Sequence, residues 1–130
     1  MFGVNLTNII FIQINTMIKT NNKLIAEFMG WKTHPKYGKN YLQNNDKNRI
    51  LPPYYTNINN NGSLSDFIYN ISWDWLIPVI DKIKSKDCYV EYLNNTSNMI
   101  SDGGIYINTK FIKNTYNDVI DFIKWYNKNV

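Results

Sequence analysis

A chain of 130 residues with 44% apolar and 15% aromatic content is long enough for one hydrophobic core, too short for two domains of usual size and too apolar to be disordered. Its formal charge of +4 comes from 14 basic against 10 acidic side chains, and Arg49 is the one arginine, so the positive field is a diffuse one of lysines rather than a set of forked phosphate clamps. A single cysteine, Cys88, excludes an intramolecular disulfide, and a single histidine, His34, far from it in the chain, leaves too few soft ligands for a metal site.

Taken in order, residues 1–16 are apolar, and Ile10, Ile12 and Ile14 alternate against Ile9, Phe11 and Gln13 in the period of a strand. This stretch reads either as an added strand or as an upstream extension, because Met17 stands just before a well-formed helix and would serve as a start. Residues 17–130 then make one domain. From Thr20 or Asn21, both good caps, Leu24, Ile25 and Phe28 form an apolar stripe, and Gly30 follows where a helix needs a left-handed residue to stop. Trp31 is expected to pack back over that stop.

Residues 32–61 show no sustained period and carry Pro35, Gly38, Pro52, Pro53 and an expected Asn61-Gly62 turn, so they read as one long loop, rich in lysine and tyrosine. Leu64 to Ile71 reads as an extended approach to a central helix beginning at Ser72. In that helix Trp73, Leu76, Ile77, Ile80 and Ile83 recur at helical spacing, Ser72 or Asp74 serves as cap, and Pro78 is expected to bend it. Cys88 to Leu93 alternates as a strand before a turn at Asn94-Asn95, and Met99–Ser101 and Ile105–Thr109 flank Asp102-Gly103-Gly104 as a hairpin. A last helix starts after Asn114 or Thr115, with Tyr116, Val119, Ile120, Ile123 and Tyr126 on one face and Phe122 and Trp125 beside it. The fold class expected from these elements is α+β, a small antiparallel sheet of about three strands packed against about three helices, sandwich-like.

Three pieces of the chain, Asn22-Lys-Leu-Ile-Ala-Glu-Phe-Met-Gly-Trp31, Ser72-Trp-Asp-Trp-Leu-Ile-Pro-Val-Ile-Asp-Lys-Ile83 and Asp118-Val-Ile-Asp-Phe-Ile-Lys-Trp-Tyr126, resemble small proteins of phages and prophages, and among named groups the phage ABA sandwich domain. The resemblance lies in fold-bearing residues, leaves out the long loop, the hairpin and residues 1–16, and implies a phage origin and an α+β sandwich. It implies no catalytic residues.

Chemistry is sparse. Nucleophilic catalysis needs a base, and His34, next to Pro35 in a lysine-rich stretch, reads as an exposed loop residue. Among carboxylates, Asp74 is explained as a cap, and Asp81 and Glu91 lie on solvated faces. Asp102-Gly103-Gly104 reads as a tight turn rather than a phosphate cradle. What remains is the combination of Lys32, His34, Lys36, Tyr37, Lys39, Tyr41, Arg49, Tyr54 and Tyr55, in which aromatic faces stack a base while cations hold phosphate. The alternative for those residues is a tyrosine cover over the domain's edge kept soluble by lysines.

The expected function is non-enzymatic and needs no cofactor: sequestration of an anionic, nucleotide-type signal that serves a host's antiviral defence, by a homo-oligomer in the host cytoplasm. Met1–Thr7 has no basic start, and the apolar run after it is too short to span a bilayer. The alternatives are a protein-binding inhibitor or accessory factor, distinguished by a flat apolar patch, and a single-stranded nucleic-acid binder, distinguished by steep salt dependence and disfavoured by the lack of arginine.

Overall fold

The computed structural model describes residues 5–51, 59–96 and 109–130. In chain order these form α1 (Leu6–Phe28), β1 (Lys32–His34), β2 (Gly38–Gln43), β3 (Asn61–Ser63), a 3-10 turn (Leu64–Asp66), α2 (Trp73–Lys84), α3 (Cys88–Thr96) and α4 (Thr109–Asn129). The class is α+β, as the composition of elements led us to expect, but its strands come from other residues than those expected.

The carboxyl half of α1 ends where Gly30 was expected to stop it. Gly30 takes φ +99°, the Trp31 amide donates to the Ala26 carbonyl at 2.9 Å and the Gly30 amide to Glu27 at 3.0 Å, the paired bonds of a Schellman ending. Trp31 is thereby turned back into the core, edge-on to Phe67 at 4.9 Å. The amino half corrects the reading of residues 9–14 as a strand: the helix begins at Leu6, capped by the Asn5 side chain accepting from the Thr7 amide at 2.8 Å. Isoleucines at nearly every position fit either period. The helix also accommodates its threonines, whose hydroxyls at Thr16 and Thr20 donate to the carbonyls four residues back, each at 2.9 Å.

Residues 32–61, read as a loop, carry most of the sheet. The three strands are antiparallel in the order β1-β2-β3, with Lys32 opposite Gln43, Thr33 opposite Leu42, Tyr41 opposite Ser63 and Leu42 opposite Gly62. Asn61-Gly62 is therefore strand rather than turn. The strands escape notice because two of them are three residues long and only Leu42 of β2 is fully buried. The expected hairpin strands at residues 99–101 and 105–108 and their turn at Asp102-Gly103-Gly104 lie outside the described residues.

Past β3, Leu64 to Asp66 wind as a 3-10 turn instead of an extended approach, closed by the Ser63 amide donating to the Asp66 carboxylate at 3.2 Å. The helix α2 runs from its Ser72 cap through Pro78 to Lys84, burying Trp75, Leu76, Val79, Ile80 and Ile83, with Trp73 and Ile77 half-buried at the margins. In α3 the expected Cys88–Leu93 strand and Asn94-Asn95 turn are overturned. Alternation would bury Val90 beside Cys88 and Tyr92, yet Val90 is 63% exposed, while Tyr89 and Tyr92 set their rings 6.1 and 5.0 Å from that of Phe122. The last helix, α4, starts at Thr109, before the expected Asn114, and Ile112 and Thr115 extend its buried stripe through Tyr116, Val119, Ile120 and Ile123, with Phe122 wholly buried.

One polar node crosses this core. Buried Asn22 of α1 donates from Nδ2 to the Phe67 carbonyl at 2.9 Å and to Asn70 Oδ1 at 3.0 Å, and its Oδ1 accepts from the Tyr116 hydroxyl of α4 at 2.9 Å. Burial raises the pKa of that hydroxyl above the ordinary tyrosine value, so it stays a donor. Because an unpaired buried polar group is costly, Asn22→Ala should destabilise the domain by about 2–4 kcal/mol, and Tyr116→Phe, which removes one bond, by about 1–2 kcal/mol. Urea denaturation of both variants against the parent checks the order.

Candidate functional site

The β1–β2 hairpin gathers six of the residues singled out from the sequence. Lys32 and His34 lie on β1, Lys36 and Tyr37 in the connection, Lys39 and Tyr41 on β2. Side chains alternate along a strand, so Leu42 points inward to the core while Tyr41 and Gln43 share the outer face with Lys32, which is paired to Gln43. Gly38, at φ +87°, closes the hairpin in a conformation other residues rarely adopt, and the register shifts between Thr33 and His34.

On that outer face three rings meet. The ring centres of His34 and Tyr37 are 4.4 Å apart, those of Tyr37 and Tyr41 5.2 Å and those of His34 and Tyr41 5.7 Å. The His34 ring is held by the Lys36 amide, which donates to Nδ1 at 3.1 Å and leaves Nε2 as the outward donor. Tyr37 is 67% exposed, and Lys32, Lys36 and Lys39 are exposed on the same hairpin. The hairpin thus carries a cluster of three rings and three exposed lysines. Beside it, Lys32 also lines a polar groove of about 410 Å³ with Gly30, Gln43, Asn44, Asn45 and Asp46.

Arg49 has a different task. Its Nε donates to the Asn59 carbonyl at 2.9 Å, Nη1 to the Asp46 carbonyl at 3.1 Å and Nη2 to Asn59 Oδ1, so the guanidinium is committed to tying the segment after β2 to the segment before β3. The Asn44 amide, donating to the Asn60 carbonyl at 2.8 Å, continues the same closure. Tyr54 and Tyr55 lie outside the described residues.

Sequence reasoning missed a second basic and aromatic cluster, built from three helices. Lys82 and Lys86 reach over the Phe28 ring at 4.8 and 5.9 Å, Lys86 also over Tyr126 at 5.5 Å, and Glu27 and Asn127 complete a cleft of about 380 Å³. Lys82 Nζ donates to the Phe28 carbonyl at the end of α1. Burial, and then the charge of Lys86, lower the pKa of Lys82 below the ordinary lysine value. No sequence signal joins residues so far apart, apart from the four-residue spacing of the two lysines. Here cations and rings already satisfy one another, which leaves less for a ligand than the hairpin does.

Asp74, Asp81 and Glu91 are exposed on helices, Cys88 packs half-buried against the core, and among the described residues no three of His, Cys, Asp and Glu come together. No helix among the described residues is long and apolar enough to cross a membrane. Comparison with protein-family models, curated proteins and solved structures gave no match.

Arg49→Lys keeps the charge but cannot span Asn59 and Asp46 together. It should speed amide hydrogen exchange at Asn44 by roughly fivefold or more, the equivalent of losing about 1 kcal/mol of local closure, with little change at the β1–β2 ring cluster. Residue-resolved exchange by NMR measures both.

Proposed function

We propose that this protein binds, without transforming it, an anionic small molecule carrying an aromatic base, and that the outer face of the β1–β2 hairpin is where it binds. The observation that supports this most is the triad of His34, Tyr37 and Tyr41 on a hairpin that also carries exposed Lys32, Lys36 and Lys39: rings for a base, ammonium groups for phosphate. Lysines without arginine suit a small mobile anion better than a long strand held by forked contacts. Joined to the resemblance to phage proteins, the ligand class becomes a nucleotide signal of host defence, withheld by a chain acting in the host cytoplasm. Arg49, assigned to this surface from sequence, supports it as a clamp on the neighbouring segments.

A second reading, a protein-binding inhibitor or accessory factor, is favoured by one observation: the amino half of α1 exposes a run of large apolar side chains of the kind a protein partner covers.

Thermal-shift titration with cyclic dinucleotides, cyclic ADP-ribose isomers, NAD and oligo-dT separates the readings. Ligand at a hundred times its dissociation constant stabilises by about 2.7 kcal/mol, a shift of roughly 5 °C or more for a domain of this size. We expect one nucleotide to give such a shift at high salt. Tyr37→Ala should weaken it by roughly fivefold to a hundredfold, as loss of one stacking platform does, and Lys36→Gln with Lys39→Gln should weaken it further. A shift only with oligo-dT, vanishing with salt, would replace this reading by single-strand binding, and no shift with any nucleotide would leave the protein-partner reading.

A further inference from the structure

The amino half of α1 is the least explained surface of the molecule. Leu6, Phe11 and Ile12 are 69%, 64% and 59% exposed, and four more large apolar side chains between Ile9 and Met17 are at least 36% exposed. Ile9, Ile10, Phe11 and Ile12 are consecutive, and at 3.6 residues per turn four consecutive side chains encircle the helix. A helix apolar all round belongs inside something. Burial of α1 within its own domain begins at Ile18, half-buried, and Asn15 already lines a groove with Leu64 and Ile68, so it is Leu6–Ile14 that extends beyond this packing, by about 14 Å at 1.5 Å per residue.

We infer that a second copy of this chain covers this surface, its own α1 packing against the first. The seven exposed apolar side chains present on the order of 700 Å², close to the roughly 800 Å² per partner of a standard-size protein interface; one α1 alongside covers about half of it, and copies packed around α1 cover the rest. The electrostatics also fit, because Asn5 to Ile18 contains no charged residue, so two identical segments meet without like-charge repulsion. Its amides at Asn8, Gln13 and Asn15 both donate and accept, so copies in register can satisfy each other, while the Asn5 and Thr16 side chains are bonded within the helix itself.

A lipid surface fits less well. Asn8 and Asn15, seven residues apart, lie on one side of the helix and Gln13 on nearly the opposite one, so the apolar surface is interrupted on two sides, and between Asn5 and Ile18 there is no Lys, Arg, Trp or Tyr to sit at a headgroup boundary. A foreign protein would meet a surface with no charge pattern by which to select it. Self-association would therefore remove the observation that favours a foreign partner, and it stands whether or not the hairpin binds a nucleotide.

The full chain should sediment at micromolar concentration as a dimer or a higher even multiple of 15.4 kDa. Phe11→Glu with Ile12→Glu, placed on exposed positions, should convert it to a monomer whose thermal unfolding at low concentration is unchanged. A parent chain that is monomeric at 100 µM overturns the inference, as does one that floats with phosphatidylcholine–phosphatidylglycerol vesicles as a monomer. A Glu variant that is folded and still associates places the interface elsewhere and overturns it too. The nucleotide titration of the Glu variant is a separate reading: retained binding there leaves the hairpin proposal intact whatever the oligomeric state.

Discussion

Asn22 holds together three parts of the chain that are otherwise far apart in sequence. An amide buried in a core must find partners for its donors and its acceptor, and Asn22 finds them in the Phe67 carbonyl, the Asn70 side chain and the Tyr116 hydroxyl. These lie 45, 48 and 94 residues away, so the node sets how α1 docks on both the segment after the 3-10 turn and α4. Hydrophobic burial alone would allow α1 to slide or rotate against α4. Directional bonds with little tolerance in length do not.

The same docking decides where the sheet lies. Trp31, thrown inward by the ending of α1, meets Phe67 beside the Asn22 node, and Phe67 in turn packs edge-on to Trp75 of α2 at 5.6 Å. The sheet joins this aromatic centre through Leu42, which is wholly buried, facing buried Gly62 on β3. With one inward anchor, β2 leaves its other face to solvent, and that is the face on which His34, Tyr37 and Tyr41 assemble. Arg49 closes the connection beyond β2 and so keeps β3 in register with it.

Two exposed surfaces then differ in kind. The hairpin combines rings with exposed lysines. The amino half of α1 carries no charge and exposes large apolar side chains to water. The Lys82 and Lys86 cleft belongs with neither, since its lysines cover the rings of Phe28 and Tyr126 and cap the last carbonyl of α1.

The sequence by itself determined the parts whose causes are local. The stop at Gly30 follows from a left-handed residue, and the helix from Ser72 and the stripe of α4 follow from a 3.6-residue period, each present within one segment. The α+β class was legible too, though the strand expected at Cys88–Leu93 is a helix; of the nine residues grouped from sequence six lie on one hairpin, Arg49 ties neighbouring segments, and Tyr54 and Tyr55 lie outside the described residues. Short apolar runs satisfy both periods: at Ile9–Ile14 the helix continues outward from the packed half of α1, while at Cys88–Thr96 only the tertiary structure decided, through the places where Tyr89 and Tyr92 meet Phe122. It alone made strands of Lys32–His34 and Asn61–Ser63, three residues each, which are held by partners across the sheet rather than by any pattern of their own. And it alone placed Asn22, indistinguishable in sequence from the chain's many other asparagines, where a buried amide finds partners in three distant parts of the chain.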